Sequence, residues 1–232
     1  GNWRVGTAIS IMEGDSSYQY GGSGDDKSKS IALYGTWNGE KGHYADLILK
    51  GTKLTNDYTV FNADGHQVEG DYDTWGTSIS AEYGRRIKQD NGFYYEPQLE
   101  FTYGHLNGSD YDATSDFMDV NGKYKTMNIN QSSMNSLIGR IGIAFGREME
   151  KNSVYAQLSY SHEFCGDMNT YYDADNMPKS TKQDFKDSWV TFMLGGTSQL
   201  NDKLYAYGNF EKSIGGDIKA DWRIDAGLSW SF

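Results

Sequence analysis

The chain has 232 residues and a formal net charge of -11, with 18 tyrosines, 28 glycines and 2 prolines. The negative charge argues against nucleic acid as a partner, and the single cysteine, Cys165, excludes an intramolecular disulfide and a cysteine-based zinc cluster. No run approaches the roughly 18 apolar residues that a membrane-spanning helix needs, and the aromatic, glycine-rich, proline-poor composition suits many strands joined by polar turns.

Gly1 opens directly into a strand-like segment with no visible leader, so upstream sequence is expected to have been removed. Residues 3–11 alternate, with Trp3, Val5 and Ile9 opposite Arg4, Gly6 and Ser10. A polar stretch over 13–30 leads to a strand over 31–37 and a tight turn over 38–42. Strands follow at 44–54 and 76–87, separated by a long polar stretch over 55–74. A short turn at 88–92 precedes a strand at 93–104, whose alternation continues on both sides of Pro97. Beyond a long polar segment over 105–135, strands are expected at 136–147 and 154–164, joined by a short turn. A further polar stretch over 165–188 leads to strands at 189–200 and 204–212, again with a short turn between them. After 213–220 the last strand reads DWRIDAGLSWSF, with Trp222, Ile224, Ala226, Leu228, Trp230 and Phe232 on one face.

Ten strands therefore alternate between long and short connections, as in an antiparallel up-and-down transmembrane β-barrel with short periplasmic turns and long extracellular loops. That parity makes the last strand descend, so that Phe232 ends on the periplasmic side, and makes the first ascend. The low mean hydropathy is consistent with this, because only alternate residues of a barrel strand face lipid.

The face opposite the apolar one collects charge in mid-strand. Asp46, Glu82, Arg86, Glu96, Gln98 and Glu100 fall on it. So do Arg140, Glu163, Glu211 and Arg223, together with Arg4, Lys50 and Asp225. A sealed core would not hold so many ionised groups, whereas a water-filled lumen can. Cross-strand pairing that stiffens the wall explains them most simply. A low-adhesion surface past which an unfolded polypeptide slides is the sharper alternative.

An outer-membrane barrel protease with an active site at its rim is a second functional class. His105 and His162 lie near the expected extracellular ends, with Asp110, Glu163 and Asp167 close in sequence, while His43 sits at a short turn and His66 in a loop. No HExxH, GxSxG or phosphate-binding loop is present, so no catalytic residue, cofactor or metal is assigned. The acids around Asp173 and Asp175 lack the calcium-loop pattern. Lys27, Lys29, Lys179 and Lys182 are candidates to meet lipopolysaccharide phosphate. A general porin and a soluble ligand-binding barrel complete the alternatives.

Several segments carry a family resemblance. They are Gly42-His43-Tyr44-Ala45-Asp46-Leu47, Ser80-Ala81-Glu82-Tyr83-Gly84-Arg85-Arg86 and Tyr95-Glu96-Pro97-Gln98-Leu99-Glu100. They continue with Gly139-Arg140-Ile141-Gly142, Tyr160-Ser161-His162-Glu163-Phe164 and the terminal Gly227-Leu228-Ser229-Trp230-Ser231-Phe232. Over essentially its whole length the chain resembles the β-domain, or translocator, of autotransporters, the type V secretion proteins of Gram-negative bacteria. The resemblance implies a twelve-stranded outer-membrane barrel with a helix in its lumen, anchoring and helping to export its own N-terminal passenger. It also implies an assembly signal at Asp225, Gly227, Trp230 and Phe232, recognised by the Bam assembly complex (BamA). Outer-membrane lipid and lipopolysaccharide are the remaining expected partners. Against that pattern, residues 1–232 supply about ten strands and lack the first two strands and the lumen helix. Three outcomes are open: missing strands upstream, closure with fewer strands, or pairing of the open edges with the Bam barrel.

Overall fold

A computed structural model describes residues 1–62, 64–174, 177–216 and 221–230. They build one antiparallel sheet from β1 (Asn2–Ser17), β2 (Ser23–Asn38), β3 (His43–Phe61), β4 (Gln67–Arg85) and β5 (Ile87–Lys88). The chain continues through β6 (Phe93–Leu106), β7 (Ser109–Met118), β8 (Tyr124–Gln131), β9 (Met134–Glu148) and β10 (Asn152–Glu163). It ends with β11 (Asp167–Ala174), β12 (Met177–Asp184), β13 (Ser188–Gln199), β14 (Leu204–Ile214) and β15 (Trp222–Trp230). Ten of these form an up-and-down wall in the order β1-β2-β3-β4-β6-β9-β10-β13-β14-β15. Ser231 and Phe232, the end of the expected last strand, lie outside the described residues, as does Asp175.

The long polar connections differ from expectation, because most of their residues are strand. β1 and β2 run on to a tight turn at Tyr18–Gly22, and β3 and β4 extend to Phe61 and from Gln67. Segment 105–135 contains the β7–β8 hairpin, and 165–188 the β11–β12 hairpin. β7 joins the top of β4, β8 joins β11, and the two hairpins extend the sheet beyond the wall. Where neither face of a strand meets lipid, an apolar/polar alternation is not required, although the backbone still pairs. These segments therefore lack the periodic signal while keeping the ladder.

The two faces of the wall invert the pattern of a water-soluble protein. On one face Ile9 is 81% exposed and Leu228 70%, and Leu33, Leu49, Phe101, Ile141, Leu158 and Leu194 are likewise exposed. On the other, Glu96 is 5% exposed and Ser161 3%. A continuous apolar surface of this extent needs a nonaqueous neighbour. Trp3 faces Trp37 across β1 and β2 at the short-turn end of the apolar face.

Pro97 sits where the ladder is interrupted. Pairing of β4 with β6 stops at Gly84 and Gln98 and resumes as β5 at Ile87 and Tyr95. In the gap the Arg86 amide donates to the Gly42 carbonyl at 2.8 Å, and Pro97 thus lies where β6 makes no ladder with β4 or β5. Gly42 has a φ of 81°, and a Cβ there would overlap the Arg86 carbonyl oxygen, so the turn at 40–42 needs glycine on both counts. The Glu148 amide likewise donates to the Gly92 carbonyl at 2.9 Å, tying the next short turn to β9.

Tyrosines on the polar face lie across glycines directly opposite them. Tyr34 covers Gly6, Tyr44 covers Gly84, Tyr94 covers Gly146, Tyr155 covers Gly195 and Tyr207 covers Gly227. Any side chain at those glycines would overlap the ring, and the ring packs where the glycine offers nothing. These pairs account for five of the 18 tyrosines and five of the 28 glycines.

Candidate functional site on the polar face of the wall

Adjacent strands bring the mid-strand charges into one network. Asp46, Glu82, Glu100 and Arg140 occupy one cross-strand row over β3, β4, β6 and β9. Arg140 donates from Nη2 to Glu82 Oε2 at 2.6 Å and from Nε to Glu100 Oε2 at 2.7 Å. Ser80 Oγ donates to the other Glu100 oxygen at 2.6 Å. The Tyr44 hydroxyl lies 2.8 Å from Glu82 Oε1 and 3.1 Å from Glu96 Oε1, linking this row to the next. Arg86 Nε donates to Glu96 Oε2 at 2.5 Å and Nη1 to Glu148 Oε1 at 3.1 Å. Lys88 adds a 2.6 Å contact to Glu148. The Arg86 guanidinium also lies over the Tyr94 ring, 4.4 Å from its centroid.

Of the ten residues expected on this face, Asp46, Glu82, Arg86, Glu96 and Gln98 line one concavity of about 540 Å³. Glu100, Arg140, Glu211 and Arg223 line a second of about 330 Å³. Glu163 stands apart at the end of β10. Its carboxylate accepts from the Ser136 hydroxyl and from the amides of Leu137 (2.8 Å) and Cys165 (2.9 Å), and so ties β9 to the start of the next connection. Glu211 and Arg223 are cross-strand partners, yet Arg223 donates to Asp225 at 2.8 Å along its own strand. Gln98 donates from Nε2 to Glu96 at 2.9 Å, while its buried Oε1 has no hydrogen-bond partner among the described residues. Period-2 parity places Tyr44 and Ser80 on this face together with the charges, but not Glu148 or Lys88, which fall in the expected turns at 148–153 and 88–92. The packing of Tyr44 against Gly84 is revealed only by register.

The histidines do not bond Asp110, Glu163 or Asp167, the acids expected near them. His105 bonds Asn135 at 2.8 Å and His162 bonds Ser188 at 2.7 Å, whereas His43 bonds the Tyr83 hydroxyl and His66 pairs with Asp116 at 3.1 Å. Asp110 accepts from Asn128 at 2.9 Å and Asn130 at 3.2 Å. Asp167 is held by Lys186 at 3.1 Å and Lys182 at 3.2 Å, which keep its carboxyl below the ordinary carboxylate range. Lys182, expected as a candidate for phosphate, is thus committed to Asp167. Among the described residues no group of three or more histidine, cysteine or acidic side chains is placed to hold a metal ion.

A family model described as the autotransporter beta-domain matches residues 1–211. The chain belongs to this family. Pertactin autotransporter of Bordetella parapertussis is 27% identical over 239 residues, covering 100% of this chain and 24% of that protein. BrkA autotransporter of Bordetella pertussis is 28% identical over 243 residues, covering 100% of this chain and 22% of that protein. The chain thus spans about a quarter of the length of these relatives. Its fold matches the crystal structure of the BrkA β-domain with a TM-score of 0.77 at 25% identity, over 99% of this chain and 84% of that one. The NalP translocator domain of Neisseria meningitidis matches with a TM-score of 0.72 at 11% identity, over 98% and 76%, and supports the fold alone. This autotransporter β-domain is an all-β antiparallel translocator barrel of the Gram-negative outer membrane. Its apolar face accordingly meets lipid.

Proposed function

We propose that the polar face is the lumen wall of a translocator barrel that anchors a passenger, encoded before Gly1, and helps carry it to the cell surface. The observation that carries this reading is the division of the wall into a lipid-facing apolar surface and a charged one that lines two concavities. The passenger polypeptide passes along that charged surface. Because the acids and bases along the wall are largely bound to each other, they hold that polypeptide weakly.

Residues 1–232 form one domain in this proposal. Among the described residues β1 pairs with β2 alone and β15 with β14 alone. Unpaired backbone groups in lipid cost several kcal/mol each, so strands from preceding sequence complete the wall between these two edges. Before they do, the free edge of β15 serves the Bam complex as an assembly signal, through Asp225, Gly227, Trp230 and Phe232, the last of which lies outside the described residues. Replacing Trp230 and Phe232 by alanine in the full-length protein is expected to lower its outer-membrane level at least tenfold and to remove a passenger epitope from the surface of intact cells. Normal assembly and surface display would end this assignment.

A further inference from the structure

Lys29 on β2 and Lys53 on β3 are direct cross-strand partners. Both project from the apolar face, in a row that runs Ile11, Lys29, Lys53, Trp75 across β1 to β4. Ile11 is 69% exposed and Trp75 57%. Directly opposed like charges destabilise a sheet unless something neutralises them. Lys53 contacts Asp73 at 2.6 Å. Lys29, and Lys27 two positions further along the same face, make no ion pair among the described residues, although Glu13 is the cross-strand partner of Lys27. One further step along the strands the sign reverses, and Asp15, Asp25, Asp57 and Asp71 form a continuous row across four strands.

The height of the lysine pair identifies what it meets. Trp37, in the tryptophan pair at the short-turn end, lies eight residues after Lys29 on the same strand. At about 3.3 Å per residue that is about 26 Å of strand, and a tilt of about 40° reduces it to about 20 Å of height, against an apolar band about 25 Å tall. The pair thus stands about 5 Å below the top of that band, within a lysine side chain's reach of the headgroups, with an apolar residue on either side and an acidic row above it. Positive charge confined to that level, with a tryptophan beside it, is complementary to an anionic headgroup plane.

We propose that Lys27 and Lys29, beside the Lys53–Asp73 ion pair and Trp75, bind the phosphate of a phosphorylated lipid in the outer leaflet. This goes beyond the export reading and requires only the membrane placement of the barrel. The test is native mass spectrometry of the full-length protein in detergent micelles with diphosphorylated lipid A. A lipid adduct is expected, reduced at least fivefold in Lys27→Gln/Lys29→Gln, and retained both in Lys27→Arg/Lys29→Arg and in the control Lys151→Gln/Lys203→Gln at the short turns of the opposite end. Dephosphorylated lipid A is expected to bind at least fivefold less, and equimolar inorganic phosphate to leave the adduct in place. Heat-modifiable gel migration establishes that each variant is folded. Undiminished binding by a folded glutamine variant, or equal binding of the dephosphorylated lipid, would overturn the proposal. Displacement by equimolar inorganic phosphate would assign the patch to free phosphate and overturn the lipid assignment.

Discussion

Arg140→Met is expected to destabilise the folded barrel by about 3 kcal/mol, read as a lower urea midpoint in detergent micelles. Arg140 is the cation of its row, bonded to Glu82 and Glu100. The three side chains are 23%, 18% and 23% exposed, so water does not substitute freely for the guanidinium. Removing one partner leaves charges that must be solvated anew, an effect of about 3–5 kcal/mol for a buried pair, and the partial exposure favours the lower end. Adding Glu100→Gln to Arg140→Met is expected to restore about 1 kcal/mol, because one of the stranded charges is then gone. A loss below about 0.5 kcal/mol in the single variant would mean that the network is solvent-screened like a surface pair.

Leu194→Arg is expected to cost about 2–4 kcal/mol, while Met193→Arg costs under about 1 kcal/mol. The two residues are neighbours in the middle of β13 and point to opposite faces. Leu194 belongs to the apolar face and is 47% exposed, so its guanidinium would stand in hydrocarbon. Met193 lies on the polar face, lining the smaller concavity, with Glu211 as its cross-strand partner. An arginine there gains a carboxylate. Urea unfolding in lipid bilayers measures both, and equal costs would contradict the assignment of faces.

These two positions also show what the sequence made legible. Wherever a strand separates lipid from a polar interior, as from Leu137 to Phe145 or from Val190 to Leu194, side chains must alternate and the strand declares itself. Residues such as Asp57 and Asp71, or those of β7 and β8, lie beyond the apolar face, where neither side of the strand meets lipid. Nothing then forces an apolar face, and these strands read as loops although their backbones pair. Pro97 was consistent with a strand for a reason that only pairing exposes, namely the ladder gap opposite it. Charge on the polar face was readable from parity, but partners were not, since Arg140 meets Glu100 only through a register between residues distant in sequence. Glu163 shares the parity of the wall charges yet sits at a strand end, where free amides take up its carboxylate. The Lys29–Lys53 pair is likewise a product of register: the sequence puts Lys29 at the end of the polar stretch over 13–30 and Lys53 within the strand over 44–54, with nothing to show that they are neighbours.

The division of the wall into lumen and lipid faces is tested most directly by photocrosslinking from adjacent positions in the full-length protein during export. A crosslinking side chain at position 98, in place of Gln98, is expected to capture the polypeptide encoded before Gly1. The same group at position 99, in place of Leu99, is expected to label lipid and leave that polypeptide untouched. Equal capture from both positions, or capture from position 99 alone, would contradict the account.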